Sequence, residues 1–210
     1  MDLQRPAPAA RFPLPYPSLL ALHGCSGLVL AGFVLLHLAY HALLVADVDA
    51  AFGLMRDLRG FYRWLPVEAL LLGSAVVQMV TGPLLARSQA RRPHRNRVAA
   101  LSGYYLFFFT LVHLAAVLWG RAGMGVDTNI HFAAAGLHAW PAALFFWPYY
   151  FLAVLAAFVH LGHALSRRLG RPSVLLPLAL GAACAGVILA GMAGMGGGLA
   201  IPADYLRPWR

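Results

Sequence analysis

The sequence contains no lysine and only seven acidic residues, so charged side chains make up just 11% of its 210 residues. Hydrophobic residues account for 61%, and the mean hydropathy is +0.71. A soluble domain of this length needs more charge than this at its surface. The scarcity of charge therefore excludes an ordinary soluble fold and indicates a helical membrane protein.

Cysteine is almost absent as well. Cys25 and Cys184 both fall inside apolar runs and match no metal or disulfide spacing, so we interpret them as small buried residues. The sequence also lacks a glycine-rich nucleotide motif and a cysteine cluster. This chain is therefore not expected to carry flavin or iron–sulfur clusters itself.

The formal net charge of +9 comes from 16 arginines, which form short clusters between apolar runs. Such clusters are typical of the loops that fix the topology of a membrane protein. Nucleic acid is therefore not an expected partner.

Five apolar runs are long enough to cross a bilayer as helices, which takes about 20 residues each. The runs cover residues 18–46, 64–86, 98–119, 141–166 and 173–199. None shows the period-two alternation of strands, so the predicted fold is an all-α, integral membrane five-helix bundle.

Two short segments flank this predicted domain of residues 18–200. A Pro-rich interfacial segment covers residues 1–17, and an outer tail covers residues 201–210. Within run five, small residues at every fourth position predict a face for close helix packing: Ala182, Gly186, Ala190 and Gly194.

The distribution of arginine predicts the orientation. With a cytoplasmic N-terminus, the inner side holds ten arginines against Asp2 alone, and the outer side holds six arginines and six acids. The positive-inside rule therefore places the N-terminus inside and the C-terminus outside, in an inner (cytoplasmic) membrane. The inner arginines are Arg5, Arg11, Arg87, Arg91, Arg92, Arg95, Arg97, Arg167, Arg168 and Arg171.

One pattern occurs twice. Ser26-Gly27 is followed by His37 in SGLVLAGFVLLHLA, and Ser102-Gly103 is followed at the same distance by His113 in SGYYLFFFTLVHLA. Runs one and three both travel outward, so the two histidines fall at matched depth in the outer half of the membrane. A neutral imidazole can offer one nitrogen to haem iron while the other donates a hydrogen bond. The pattern therefore predicts a pair of axial haem ligands.

The inner level is less complete. His160 and His163 lie near the inner end of run four, whereas run two offers Gln78 at that depth and no histidine. His41, one turn from His37, is interpreted as a haem propionate partner or an alternative ligand. His23 is interpreted as an interfacial residue.

Together these residues resemble the membrane cytochrome b subunit of succinate dehydrogenases and fumarate reductases, in its single-chain, five-helix, dihaem form. The resemblance covers roughly residues 18–170. It rests on the repeated Ser-Gly/His pattern, on WPYYFLAVLAAFVH, which ends at His160, and on the arginine-rich loop at 87–97.

In that family, histidines of helices one and three hold the outer haem, and those of helices two and four hold the inner one. The resemblance assigns His37 and His113 to the outer haem and His160 to the inner haem. The remaining inner position is Gln78, four residues before Gly82. Because glutamine is a poor haem ligand, one haem b is expected, and a second would need a replacement such as His163.

The resemblance also implies partners. Flavoprotein and iron–sulfur subunits are expected on separate chains, and a quinone is the expected electron partner. Glu68, at the outer mouth of run two, is either a proton acceptor for quinol or a simple interfacial carboxylate. Residues 87–97 and Arg167–Arg171 form either a docking surface or a contact with anionic lipid.

The leading hypothesis is a membrane-anchor cytochrome b-like subunit of a succinate dehydrogenase/fumarate reductase-type respiratory complex. It passes electrons to or from quinone and does not itself perform dicarboxylate chemistry. Two alternatives stay open. One is a haem-free scaffold or transporter-like protein with the same bundle, and the other is an enzyme that binds a different metal at His37 and His113.

Overall fold

The computed structural model describes residues 15–90, 97–170 and 173–209, and within these residues the chain is helical with no β-strand. Most of the predicted segment 1–17, residues 91–96 of the arginine loop and Arg171 lie outside the described residues. In the described residues, eight α-helices and a final 3-10 turn at Arg207–Trp209 follow one another. The α-helices are α1 Tyr16–Leu43, α2 Val48–Tyr62, α3 Leu65–Ala90, α4 Arg97–Ala122, α5 Ile130–Ala135, α6 Ala143–Arg168, α7 Leu175–Met192 and α8 Ala203–Leu206.

Five of these helices, α1, α3, α4, α6 and α7, are long and apolar enough to cross a membrane, with mean hydropathies of 1.8 to 2.1. They carry many of the large apolar side chains that the bundle leaves exposed, for example Leu28 and Leu175. In water such exposure is costly, whereas lipid tails cover it without penalty. The chain is therefore a multi-pass membrane protein, as the apolar runs predicted.

Cys25 lies on this exposed surface, and Cys184 is half-buried. The expectation that both cysteines are buried was therefore wrong. The physical reason is that in a membrane bundle an apolar run has a lipid-facing side as well as a core side, and composition does not distinguish the two.

The long helices pack in a chain of neighbours, α3 on α1, α4 on α6 and α6 on α7, while α1 also contacts α7. A cluster of buried residues lies at one end, where α2 and α5 meet the last turns of α1 and α7. We call this the α2 end. Leu44 and Ile130 are almost inaccessible there, at 0% and 1% exposure. The α2 end is therefore the firmly packed part of the bundle.

Helix α2 was not predicted, because the loop that contains it is too polar to count as a span. Its start is fixed by Asp47, whose Oδ1 accepts a hydrogen bond from the Ala50 backbone N–H at 2.9 Å. Ala51 and Met55, four residues apart, form its buried stripe. The helix therefore lies against the bundle with one apolar face.

Helix α7 ends at Met192, seven residues before the end of the predicted run at 199. Beyond it Gly194, Gly196 and Gly198 take positive φ angles of 85°, 75° and 74°. Only glycine adopts these conformations readily, so the chain turns instead of continuing the helix. A Cβ at Gly196 would also collide with the carbonyl of Val45.

The small-residue face predicted for run five was wrong by one position along the helix. Gly186 is exposed and has no neighbour within 4 Å of an added Cβ. The buried residues include Gly181 and Ala185 instead. A Cβ at Gly181 would lie 2.9 Å from the Cβ of Phe158, so this glycine permits the close approach of α6.

Candidate functional site

The two histidines of the repeated pattern face each other across the bundle. His37 on α1 and His113 on α4 have ring centres 6.2 Å apart, with their planes at 82°. Phe109, one turn before His113, stacks on the His113 ring at 5.1 Å and 13°. The sequence placed these histidines at matched depth, and the structure brings them together.

The phenol of Tyr40 is hydrogen-bonded to the Nδ1 atom of His37. The Tyr40 hydroxyl lies 2.6 Å from His37 Nδ1, one turn along α1. Tyr62 of α2 faces the same hydroxyl. When Nδ1 donates to Tyr40, the lone pair of His37 Nε2 is left to bind a metal.

His41 completes this cluster. Its ring centre lies 4.9 Å from that of His37, and the residue is buried with 6% exposure. Its Nδ1 is buried and has no hydrogen-bond partner among the described residues. A buried polar atom without a partner is costly, so the surroundings of His41 favour a ligand with a polar group.

A second histidine pair lies nearer the opposite end of the bundle. His23 on α1 and His160 on α6 have ring centres 6.4 Å apart, with their planes at 76°. From the sequence, the second ligand beside His160 is either missing or His163, and His23 is interpreted as an interfacial residue. In the structure His23 is half-buried and contacts Thr81 of α3 and His160 of α6.

Hydroxyl groups fix both rings of this second pair. Thr81 donates its proton to the Val77 carbonyl at 2.7 Å, so at 2.8 Å it accepts from His23 Nδ1. Ser102 likewise donates to Val98 at 2.9 Å and accepts from His160 Nδ1 at 3.2 Å. In the tautomer with both Nδ1 atoms protonated, the lone pair of each ring lies on Nε2.

The Ser-Gly halves of the repeated pattern do not contact the histidines that follow them in the sequence. They contact two residues near the second pair, His160 and Gln78. Ser102 binds His160, and a Cβ at Gly103 would lie 3.2 Å from His160 Cε1. Ser26 and Gly27 make the equivalent contacts with Gln78. The Gln78 Nε2 donates to Ser26 Oγ at 2.8 Å, and a Cβ at Gly27 would lie 3.2 Å from it.

Gln78 also donates to the His23 carbonyl at 2.6 Å, so its amide nitrogen is committed to α1. The residue that the family resemblance places in a ligand position is thus a clamp between α3 and α1. His163, proposed as a replacement ligand, lies almost one turn beyond His160 and is half-buried. The His23–His160 pair does not include it.

A signal for His23 was present in the sequence. His23 precedes His37 by 14 residues. At 3.6 residues per turn this is nearly four turns, which puts both side chains within about 40° of each other on α1. Depth alone had suggested the interface, whereas helical phase indicates that His23 shares the face of His37.

Glu68 is not a free carboxylate. Its Oε1 accepts from Arg121 Nη1 at 2.5 Å, and the two side chains are 24% and 29% exposed. A proton acceptor at Glu68 has to break this ion pair first, so the pairing favours the interfacial interpretation over the quinol one.

The surface of the α2 end carries a second ion pair, in which Arg59 of α2 donates to Asp127. This hydrogen bond lowers the pKa of the Asp127 carboxyl. Nearby, the His131 ring lies between Phe52 and Tyr205, at ring-centre distances of 4.7 and 5.6 Å. Burial lowers the pKa of His131, and its Nδ1 has no partner among the described residues.

The ring-centre separation of both histidine pairs fits that of two axial haem ligands. With a metal–nitrogen bond of about 2 Å on each side of one iron, two opposed imidazole rings have their centres about 6 Å apart. The observed separations are 6.2 and 6.4 Å. Among the described residues, no three His, Cys, Asp or Glu side chains are grouped to hold a bare metal ion. The donor sets therefore fit haem iron, which needs only two protein ligands, better than a metal held by protein alone.

No protein-family model, curated protein or solved structure matches this chain. The family therefore remains a prediction from the motifs of the sequence.

Proposed function

We propose that the chain is a cytochrome b-like membrane subunit that binds haem b between α1 and α4 and carries electrons. The observation that supports this most is the opposition of the His37 and His113 rings at 6.2 Å. In a membrane, buried ionisable side chains are costly and are usually retained for a function. Two histidines that meet at one depth are difficult to explain as packing alone.

The residues around this pair support the same role. Tyr40 orients His37 through Nδ1, and Phe109 stacks on His113 and fixes the tilt of its ring. His41 contributes a buried polar atom beside them. When haem is bound, the chemistry it supplies is one-electron transfer, tuned by its axial ligands and their hydrogen bonds.

We place this function in a respiratory complex of the succinate dehydrogenase/fumarate reductase type, in an inner (cytoplasmic) membrane. The chain is then a non-catalytic subunit that exchanges electrons with quinone, and flavoprotein and iron–sulfur subunits reside on separate chains. The family resemblance and the arginine distribution support this assignment. Arg87, Arg97, Arg167 and Arg168 lie at the ends of α3, α4 and α6, opposite the α2 end. These positive charges suit a cytoplasmic surface.

A reduced-minus-oxidised absorption spectrum of the purified chain in detergent tests the proposal. We expect b-type haem bands, with reduced amplitude in His37→Ala and His113→Ala. His138→Ala is the matched control, because His138 binds the Met192 carbonyl in a loop and faces neither pair. Binding of added imidazole by His113→Gly, with recovery of the bands, separates a lost ligand from a lost fold. A chain without haem bands would support the haem-free scaffold instead.

A further inference from the structure

We infer a second haem site between His23 of α1 and His160 of α6, a pairing that neither the repeated pattern nor the family resemblance predicts. This inference rests on the proposed haem-binding function. It changes the chain from a carrier of one haem into one with cofactors at two depths.

The two pairs have nearly the same geometry. Their ring centres are 6.2 and 6.4 Å apart, and their ring planes meet at 82° and 76°. Two buried histidines that satisfy each other share an N–H···N hydrogen bond, whereas the hydrogen bonds described for His37, His23 and His160 go to the hydroxyl groups of Tyr40, Thr81 and Ser102. A repeated separation near 6 Å at two depths is instead the spacing that one iron imposes on two opposed imidazoles.

The hydrogen bonds leave the correct nitrogen for a metal on each ring. Thr81 and Ser102 accept from the two Nδ1 atoms and pass their own protons to helix carbonyls, as described above. Outer-shell partners of this kind fix the tautomer of metal-binding histidines.

Small residues flank both rings. A Cβ at Gly82 would lie 3.6 Å from His23 Cε1, and one at Gly103 would lie 3.2 Å from His160 Cε1. Glycine thus lets α3 and α4 approach the rings closely and hold their orientation. The orientation of the two imidazole rings is therefore fixed by contacts with α3 and α4, although the histidines belong to α1 and α6.

The contacts of Gln78 indicate why the second ligand of the inner site is on α1 and not on α3. The contacts of Ser26-Gly27 with Gln78 correspond to those of Ser102-Gly103 with His160. Gln78 thus occupies the place of a helix-α3 histidine, yet its amide nitrogen is bound to α1. His23 faces His160 instead. A change of ligand from α3 to α1 therefore keeps the inner level a histidine pair.

This arrangement makes α1 the common support of both sites. His23 and His37 are 14 residues apart, which is about 21 Å along the helix axis. One rigid helix therefore sets the separation of the two cofactors and their relative orientation. Electrons that enter at one level can reach the other within a single chain.

The test is a count of haem per chain by pyridine haemochrome, together with redox titration of the purified protein. We expect two haems in the wild-type chain and about one in His23→Ala and in His160→Ala, with the remaining haem lost in His23→Ala/His37→Ala. His163→Ala is the control and keeps two haems. Thr81→Val keeps both haems but shifts the midpoint potential of one component, because the orientation of His23 changes.

Several outcomes would overturn the inference. A single haem that is lost in His37→Ala and retained in His23→Ala leaves the proposed function intact and removes the second site. Two haems, of which one is lost in His163→Ala and both are kept in His23→Ala, assign the ligand to a different residue. A chain with no haem refutes both proposals together.

Discussion

Tyr40 determines how His37 presents itself to a ligand. Its hydroxyl contacts His37 Nδ1 at 2.6 Å and also faces Tyr62 on α2. The phenol can therefore accept the Nδ1 proton and donate its own to Tyr62. No comparable hydroxyl bond is present for His113 among the described contacts, where Phe109 stacking takes over the orientation of the ring.

Removal of this phenol should weaken haem binding without abolishing it. We expect Tyr40→Phe to lower haem affinity at the His37 site by roughly 10- to 100-fold, the usual effect of losing a hydrogen-bond partner behind a metal ligand. The measurement is haem retention during dilution in detergent. Tyr104→Phe is the control, because Tyr104 lies on the exposed surface of α4. Equal retention in the two variants would contradict the role of Tyr40.

The pairing of Glu68 with Arg121 leads to a different prediction. Because both side chains are partly exposed, the pair should contribute only about 0.2–1 kcal/mol to stability. A double-mutant cycle of Glu68→Gln and Arg121→Met, followed by thermal or denaturant unfolding, measures this coupling. We also expect Glu68→Gln to keep its haem. A large loss of quinol oxidation with unchanged stability would restore the proton-acceptor interpretation of Glu68.

At the scale of elements, α2 covers one end of the helix bundle with its apolar face. Its buried residues Ala51 and Met55 belong to the same cluster as Tyr40 and Leu44, which lie at the C-terminal end of α1. Phe52 of α2 also contacts His131, which in turn contacts Tyr205 of α8. The chain of rings therefore ties the C-terminal tail to α2.

This contact should depend on pH. Burial lowers the pKa of His131 below its ordinary value of 6.5, so the folded state favours the neutral ring. Its contribution to stability is complete above pH 6.5 and is lost as the pH falls through the lowered pKa. Protease cleavage of the C-terminal tail, measured from pH 8 to pH 4, should accelerate on acidification. His131→Phe should remove most of that change, and an unaltered pH profile in His131→Phe would count against this role.

The sequence predicted the five long helices because the length of an apolar run is a sufficient signal for a span. It could not predict α2, whose signals are a capping Asp47 and a short apolar stripe within a polar loop. The predicted end of the fifth helix, at residue 199, was wrong for another reason. Its residues are apolar, but Gly194, Gly196 and Gly198 turn the backbone.

The candidate site was predictable in part. Matched depth was enough to bring His37 and His113 together, because both belong to helices that run in the same direction. His23 was missed because depth was considered without helical phase. The contacts of Gln78 with His23 and Ser26 depend on how α3 packs against α1, which no local pattern encodes.

For the whole molecule, the arginine distribution predicts that the α2 end faces outward and the N-terminus inward. Topology reporters check this in a bacterial inner membrane. Alkaline phosphatase fused after residue 209 should be active, and the same enzyme fused after residue 90 should be inactive. The opposite pattern would invert the orientation and would place the His23–His160 pair on the outer side.

The most direct test of the central claim, haem held between His37 and His113, is low-temperature EPR of the oxidised, purified chain. We expect the low-spin ferric signal of iron with two histidine ligands. In His37→Ala and in His113→Ala, the component from this site should become high-spin or disappear, while His138→Ala keeps the wild-type spectrum. A chain with no ferric haem signal, or a spectrum that neither His37→Ala nor His113→Ala alters, would contradict the claim.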